Sequence, residues 1–263
     1  MSYKTFIEWC RHTFNPWWGC EKISEACKRC YAARHAARYG QKVWGAAAQR
    51  RLASPKAWKE PLRWDREARA AGVRERVFCL SMGDVFEDRR DLDAARAQLW
   101  SLIEATQNLD WLLLTKRPEN VTKLVPWGET GPSNVWLGVT AETQERADKR
   151  ISVLLQHPAA VHFVSAEPLL EAISLERYLQ GERRVRWVIT GGESGPGARP
   201  SQPDWFRALR DECVRHDVAF FFKQWGNHAP GQSGDLVRLR SKKDAGRLLD
   251  GREWNEVPSA RRK

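Results

Sequence analysis

The sequence predicts an α/β fold, built as a partial (β/α) barrel of about six parallel strands. Short and almost wholly apolar runs alternate with amphipathic helical segments after residue 75, a pattern typical of parallel strands covered by helices. Each apolar run is followed by glycine or polar residues. Barrel folds collect their functional groups at these carboxyl ends of the strands, whereas an open doubly wound sheet uses only the crevice at its switch point.

Six apolar runs are predicted strands because they are short, rich in β-branched and aromatic residues, and bounded by turn or charge signals. They cover residues 77–82, 111–115, 135–139, 161–164, 187–190 and 219–222. A weaker candidate strand at 5–9 precedes them. Residues 92–106, 144–155 and 205–216 are predicted helices, and in the first two the apolar residues recur on one face.

Two regions lie outside this alternation. Residues 40–72 are rich in alanine, arginine, lysine and tryptophan and are predicted to be a basic helical insertion. Residues 226–263 are predicted to be a loop-rich extension that caps the barrel or lies along a substrate. Neither region resembles an independent domain, and 263 residues fit one sizeable core. We therefore expect a single domain over residues 1–263.

Composition narrows the class of protein. No apolar run approaches the ~20 residues that a membrane span requires, and residues 1–9 lack the apolar region of a secretory signal. These observations predict a cytoplasmic protein. In a reducing compartment, its six cysteines are expected to be metal ligands or redox groups and not a disulfide framework.

The charge balance favours a polyanionic partner. The chain carries a net charge of +11, which creates a long-range field that attracts nucleic acid. Trp17, Trp44, Trp58 and Trp64 lie among basic residues. Their indoles either stack on unpaired bases or fill the core.

The densest chemical signal is a cysteine cluster near the N-terminus. Cys20, Cys27 and Cys30 have the spacing C-x6-C-x2-C, followed by Tyr31 and a predicted helix at 32–39. Three thiolates with no fourth ligand leave an open position on a metal or an iron–sulfur cluster. His35 or Cys10 would instead complete a tetrahedral zinc site. The spacing alone does not decide between iron and zinc.

Longer motifs extend the pattern over nearly the whole chain. They are Asn-Pro-Trp-Trp-Gly-Cys at 15–20, Ser-Met-Gly-Asp at 81–84, Thr-Lys-Arg-Pro at 115–118, Gly-Val-Thr at 138–140, Ser-Ala-Glu-Pro at 165–168, Gly-Gly-Glu-Ser-Gly at 191–195 and Lys-Gln-Trp-Gly at 223–226. With the cysteines, these motifs resemble the radical S-adenosylmethionine superfamily, and more closely the phage-associated three-Cys-motif family. A weaker similarity to spore photoproduct lyase, which repairs a thymine lesion in DNA, rests on Cys-x-x-Cys-Tyr at 27–31.

The resemblance implies an enzyme with two cofactors, a [4Fe-4S] cluster on Cys20, Cys27 and Cys30 and S-adenosyl-L-methionine. Reductive cleavage, fed by an external electron donor, would give a 5'-deoxyadenosyl radical. Together with the net positive charge, the resemblance implies a nucleic-acid substrate, for which DNA is favoured. The reaction would be lesion repair or base modification. We expect a monomer that does not associate with membranes. The alternative is a basic nucleic-acid-binding protein whose N-terminal loop is stapled by zinc.

The resemblance also implies roles for individual residues. Tyr31 is expected to pack near the adenine, and Gly83 and Asp84 to hold the methionine amino group. Four residues at later strand ends are expected to contact the ribose and the methionyl carboxylate: Thr140, Glu142, Ser165 and Glu167. The catalytic candidates are Cys79, Lys116 and Lys223, and the possible phosphate ligands are Lys116, Arg117 and Lys223. Cys79 would return a hydrogen atom to a product radical, unless it is a buried structural thiol.

Overall fold

The sheet strands of this protein follow one another across the sheet in chain order. The computed structural model describes residues 5, 7–231 and 233–258. The strands are β1 (His12–Phe14), β2 (Trp17–Trp18), β3 (Arg51–Leu52), β4 (Glu75–Cys79), β5 (Leu109–Thr115), β6 (Val135–Thr140), β7 (Val161–Ala166), β8 (Val185–Gly191), β9 (Ala219–Gln224), β10 (His228–Pro230) and β11 (Leu236–Arg238). The helices are α1 (Tyr31–Arg38), α2 (Glu60–Ala70), α3 (Asp93–Ala105), α4 (Val121–Leu124), α5 (Gln144–Leu154), α6 (Pro203–Arg215) and α7 (Lys242–Ala245).

Seven strands form the central sheet in the order β1-β4-β5-β6-β7-β8-β9. The pairings of β1 with β4, β4 with β5, β7 with β8 and β8 with β9 are parallel. This order does not reverse along the described chain, so the sheet lacks the switch point of a doubly wound fold. The predicted α/β class with the connectivity of a partial barrel is confirmed. No helix in this part of the chain is long and apolar enough to cross a membrane.

The first strand of the sheet lies at His12–Phe14, so the prediction of a strand at 5–9 is wrong. Glu8 and Trp9 form a turn, and residue 6 lies outside the described residues. Strand β1 pairs with Val77–Cys79 and buries His12 and Phe14. The other six predicted strands are confirmed, with ends that shift by one to three residues.

Residue contacts divide the chain into two compact units. The first comprises residues 1–138 and 157–160, and the second comprises 139–156 and 161–263. The assignment of residues 1–263 to a single domain stays a prediction.

The core of the first unit is apolar and aromatic. The run Leu109–Thr115 is buried at six of its seven positions, and helix α3 buries the predicted face that includes Leu99 and Ile103. Helix α2 contacts β4 and β5, and its Trp64 ring stacks on His12 with 4.3 Å between centroids. Because these rings stack inside the unit, α2 is an integral layer of the core.

The predicted basic insertion at 40–72 is helical only in its second half. Helix α2 and the single turn that precedes it cover residues 57–70, whereas 40–56 contain only the two-residue strand β3. Trp17 and Trp64 are buried, and Trp44 and Trp58 are half-buried. Of the two alternatives for this group, core filling is confirmed for Trp17 and Trp64.

The second unit is built on β7, β8 and β9 with helix α6 packed against β8 and β9. The Phe206 ring meets Phe222 and Trp225 edge to face at centroid distances of 5.2 and 5.4 Å. Helix α5 buries Ile151 and Leu154 on its predicted apolar face. The aromatic contacts of Phe206 fix the carboxyl end of β9.

The C-terminal extension covers the edge of the sheet within the second unit. After the antiparallel pair β10 and β11, the chain runs antiparallel beside β9. Phe222 donates its backbone N–H to Trp254 at 3.0 Å, and Glu256 donates to Phe220 at 3.2 Å. Strand β9 is the last strand in the sheet order. The extension therefore satisfies backbone groups that an open edge would offer to another chain.

We predict that Trp254→Ala opens this edge. Trp254 is 9% exposed, and its ring meets Phe220 at 5.8 Å. Its truncation should lower the free energy of unfolding by about 3–5 kcal/mol, measured by urea denaturation, and should promote concentration-dependent association. Trp254→Phe keeps an aromatic contact and serves as the control. Equal midpoints for Trp254→Ala and the wild type would contradict this role.

Candidate metal and cofactor site

The three clustered cysteines lie on one irregular segment of the first unit. Cys20 directly follows β2, Cys27 ends a single 3-10 turn, and Cys30 is the residue before helix α1. All three thiols are free and half-buried. Backbone hydrogen bonds from Cys27 to Ser24 and from Cys30 to Cys27, at 3.0 and 3.3 Å, fold the segment back on itself.

This cysteine segment is fixed to the turn that follows β4. Gly19 donates its N–H to the carbonyl of Met82 at 2.9 Å and forms a parallel bridge with Gly83. The Tyr31 hydroxyl donates to the carbonyl of Ser81 at 2.8 Å. The structure therefore brings the predicted cofactor residues Tyr31 and Gly83 to the same place as the cysteines.

Asn15 explains why β4 ends before this turn. Its side-chain oxygen accepts the backbone N–H of Met82 at 2.8 Å, and its amide donates to the Ser81 hydroxyl at 3.1 Å. These bonds replace the strand ladder at residues 81 and 82. The predicted strand at 77–82 accordingly stops at Cys79, and the turn is held against the segment that leads to Cys20.

Gly19 is required by this close approach. Its φ of +118° lies in the region that L side chains rarely adopt, and an added Cβ would lie 2.3 Å from the carbonyl oxygen of Val43. On the opposite side, a Cβ on Gly83 would lie 2.9 Å from the carbonyl oxygen of Gly19. Glycine at both positions therefore allows two backbone segments to touch.

Asp84 is the polar centre of the site. It is 5% exposed, and its carboxylate accepts hydrogen bonds from the Thr115 hydroxyl at 2.7 Å and the backbone N–H groups of Phe86 and Lys116 at 3.1 Å. The Arg117 guanidinium donates to it at 3.1 Å. A buried carboxylate is stable only when it is paired and hydrogen-bonded, and this one has both forms of compensation.

Arg117 joins Asp84 to the cysteine segment. It donates to the Cys20 sulfur at 3.6 Å and to the carbonyl of Glu21 at 3.0 Å. Burial would lower the pKa of Arg117, but the charge of Asp84 and the contact with Cys20 raise it above its ordinary value. The residue is 7% exposed, and both of its terminal nitrogens donate to these partners. A phosphate-binding role for Arg117 stays a prediction.

Cys20 and Cys27 lie in different electrostatic surroundings. Burial, reinforced by the charge of Asp84, raises the pKa of Cys20 to about 12, and Arg117 opposes the shift. Burial also acts to raise the pKa of Cys27, but the charge of Lys116 and hydrogen bonds from Ile23 and Ser24 outweigh it. The pKa of Cys27 thus lies below its ordinary value. The nearby cation therefore favours the thiolate of Cys27, whereas at Cys20 it offsets only part of the effect of burial.

The donor set fits a thiolate-bound metal in its chemistry. The three thiols are free and half-buried, with Arg117 against Cys20 and the charge of Lys116 near Cys27, and thiolates are the ligands of iron–sulfur clusters and structural zinc. Across residues 5, 7–231 and 233–258, no three His, Cys, Asp or Glu side chains are grouped closely enough to hold a metal ion. The structure therefore places the three thiols on one segment, although it does not group them as metal ligands.

The two candidate zinc ligands have other contacts. The His35 ring packs against Tyr39 at a centroid distance of 5.0 Å and against Trp18 at 5.8 Å. Cys10 is buried, and its thiol faces the carbonyl of Ile7 at 3.7 Å. A fourth ligand from His35 or Cys10 stays a prediction.

The sequence of residues 4–258 matches a family model described as a protein of unknown function, DUF5131. The chain belongs to the DUF5131 family. No curated protein matches it. The closer assignment to the phage-associated three-Cys-motif family stays a prediction.

Two solved structures of spore photoproduct lyase are similar to this DUF5131 member. A cysteine-to-serine mutant shares 12% identity with a TM-score of 0.47. A double mutant with bound AdoMet and dinucleoside spore photoproduct shares 11% identity with a TM-score of 0.45. In both cases the match covers 90% of this chain and 70% of the other.

The remaining predicted ligands of S-adenosylmethionine lie in the second unit. Thr140 is the last residue of β6 and Ser165 is the second-last residue of β7, and both are buried. Glu142 is 0% exposed and pairs with Arg150 at 2.7 Å. Glu167 pairs with Lys223 at 2.6 Å, and both side chains are about one-fifth exposed. The cofactor roles of these residues, and the catalytic role of Lys223, stay predictions.

Cys79 is fully buried in strand β4, and burial raises the pKa of its thiol. Lys116 is half-buried beside Asp84. A catalytic role for either residue stays a prediction.

Sequence reasoning missed the buried pair of Arg50 and Glu87. Their side chains are 1% and 5% exposed, and two hydrogen bonds of 3.0 and 2.6 Å join them. Arg50 also donates to the carbonyls of Val43, Gly45 and Ala48. It supports the irregular chain that packs on Gly19. A separation of 37 residues left no local sequence signal for this pair.

We predict that Gly19→Ala destabilises the site far more than Gly45→Ala. Gly45 has nearly the same φ, +116°, but nothing lies within 4 Å of its added Cβ. Gly45→Ala should cost about 1–3 kcal/mol from backbone strain alone, and Gly19→Ala should cost more because of the clash with Val43. Chemical denaturation measures both. Equal losses would show that close approach at Gly19 has no energetic role.

We predict that Arg117→Met lowers the free energy of unfolding by about 3–5 kcal/mol, because it leaves the Asp84 carboxylate buried without a cation. Arg63→Met is the matched control, since Arg63 pairs with Glu60 and Glu67 where all three side chains are accessible and should lose less than about 1 kcal/mol. Thermal and urea unfolding measure both variants. Similar losses would contradict the central role of Arg117.

Proposed function

We propose that this DUF5131 member is a radical S-adenosylmethionine enzyme whose Cys20, Cys27 and Cys30 hold a [4Fe-4S] cluster, and that it modifies or repairs nucleic acid. One observation carries the proposal. Three free thiols lie on a segment fixed to the Gly83–Asp84 turn, with the Arg117 guanidinium against the Cys20 sulfur.

When bound, the reduced cluster and S-adenosylmethionine supply an electron and a 5'-deoxyadenosyl radical. The chain's own residues provide position and charge. Arg117 holds Cys20 and the Glu21 carbonyl in place, and Lys116 provides a positive charge near Cys27. The hydrogen bond from the Tyr31 hydroxyl to the Ser81 carbonyl keeps an aromatic ring beside Cys30, and we place the adenine against this ring.

Gly83 and Asp84 act together in this proposal. Gly83 has no side chain, so the turn lies directly against Gly19. The Asp84 carboxylate is already bound by Thr115, Lys116 and Arg117. We therefore assign Asp84 a positioning role in which it orients Arg117, and we assign the methionine end of the cofactor to the turn that Asp84 stabilises.

Charge supports a nucleic-acid substrate. The net charge of +11 creates a field that attracts phosphates and makes the affinity dependent on salt. DNA is the favoured substrate, with lesion repair or base modification as the reaction class. An external electron donor would reduce the cluster.

We predict that the anaerobically purified and reconstituted chain is brown, absorbs near ~400 nm and contains about four irons and four sulfides. Cys27→Ala should lose the iron, because one of three ligands is gone. Reduced wild-type protein with S-adenosylmethionine should yield 5'-deoxyadenosine, and Cys30→Ala should not. Metal and sulfide analysis, absorbance and chromatography of the nucleoside measure these outcomes.

Cys213→Ala is the matched control for these variants. Cys213 is buried in helix α6 of the second unit, so its loss changes the thiol count but not the proposed ligand set. It should keep the iron. A colourless protein with one zinc, or a Cys27→Ala variant that retains four irons, would overturn the cluster. A brown protein without nucleoside formation above the Cys30→Ala control would overturn the radical chemistry.

A further inference from the structure

Helix α1 buries two of its four alanines, and the aromatic residues at its start and just after its end are exposed. Ala32 and Ala36 are 3% and 0% exposed and pack with Val43 and Met82. Tyr31 and Tyr39 are 52% and 64% exposed. A helix that packs through two alanines and exposes aromatic rings on another side offers a surface that a partner can cover.

The exposed rings form a row. Tyr31, His35 and Tyr39 recur every four residues and thus lie on one side of the helix. The His35 ring meets Tyr39 at 5.0 Å between centroids. Trp18 of strand β2, half-buried, extends the row and meets His35 at 5.8 Å. The row begins at Tyr31, the residue next to Cys30, and leads away from the cysteine segment.

Positive charge accompanies the rings. The Arg51 guanidinium lies 5.1 Å from the centroid of Trp18, to which β3 brings it by pairing Arg51 with Trp18. Arg38 and Lys42 lie near the end of α1 and are exposed. In the part of the chain that the structure describes, none of these three cations forms an ion pair. Their charge is therefore available to an anionic partner.

We propose that Trp18, His35, Tyr39 and Arg51 form an aromatic platform on which the bases of a single-stranded nucleic acid stack. This inference rests on the proposed function, because it names the substrate class of the same enzyme. Exposed rings flanked by cations bind single strands through base stacking and phosphate attraction. A duplex keeps its base faces inside the stack, so the platform selects unpaired or extruded bases.

The test is the affinity of the anaerobically purified full chain for a labelled 12-nucleotide single strand and for its duplex, by fluorescence anisotropy at ~50 to ~200 mM salt. No S-adenosylmethionine is added. The single strand should bind more tightly than the duplex. Tyr39→Leu, which keeps an apolar side chain but removes the π-face, should weaken single-strand binding about 5- to 150-fold. Tyr39→Phe should retain it.

Charge and stacking are separated by two further variants. Arg51→Gln removes a cation from the platform, and Arg69→Gln removes one from the exposed part of helix α2. Arg51→Gln should weaken single-strand binding more than Arg69→Gln does, although both lose one charge. Circular dichroism checks that each variant is folded, which the exposure of Tyr39 and Arg51 leads us to expect.

Several outcomes would overturn the platform. They are wild-type affinity in Tyr39→Leu, equal binding of duplex and single strand, and equally effective competition by poly-glutamate, which carries charge without bases. Failure of the proposed function is recognised separately. If the protein contains no iron but Tyr39→Leu still weakens single-strand binding, the platform stands and the cluster is refuted. If the protein is brown and forms 5'-deoxyadenosine but Tyr39→Leu binds like the wild type, the cluster stands and the platform is refuted.

Discussion

The buried carboxylate of Asp84 determines the geometry of the first unit around the cysteines. It accepts hydrogen bonds from Phe86 in its own turn and from three residues at the end of β5, Thr115, Lys116 and Arg117. Arg117 then reaches Cys20 and Glu21. A buried charge that loses its partner is strongly unfavourable. The positions of two strand ends and one cysteine are therefore coupled through a single side chain.

A second constraint acts from the opposite side of Cys20. The chain from Val43 to Ala48 has almost no regular secondary structure, so its carbonyl groups need other donors. Arg50 supplies them while paired with Glu87. Because this chain lies directly on Gly19, the Arg50 pair and the Asp84 network hold the cysteine segment between them. A buried ion pair of this kind adds little net stability, because the cost of desolvating both charges offsets their attraction.

Local sequence patterns were enough to predict the sheet and the position of the cysteine site. Alternation of apolar strands and amphipathic helices predicted the parallel sheet, because buried parallel strands are apolar on both faces. The spacing of Cys20, Cys27 and Cys30 marked the site. The network could not be predicted, since Asp84 and Arg117 are 33 residues apart and Arg117 and Cys20 are 97 apart. Arg117 therefore looked like an exposed anion ligand. For a similar reason the sequence left open whether Trp17 and Trp64 stack on bases or fill the core: their basic neighbours were visible, and their burial was not.

Helix α1 links the two constraints to the outer surface. Its alanines allow close packing on Val43 and Met82, which belong to the segment on Gly19 and to the turn after β4. Tyr31 ties the start of the helix to Ser81. A larger residue at Ala36 would push the helix away from Met82, since a packed interior does not absorb extra volume without displacement. Because Cys30 directly precedes the helix, such a displacement would move Cys30 and the exposed rings of His35 and Tyr39 together. Small buried residues on one side of α1 thus keep the aromatic row on its exposed side in a fixed position relative to the cysteines.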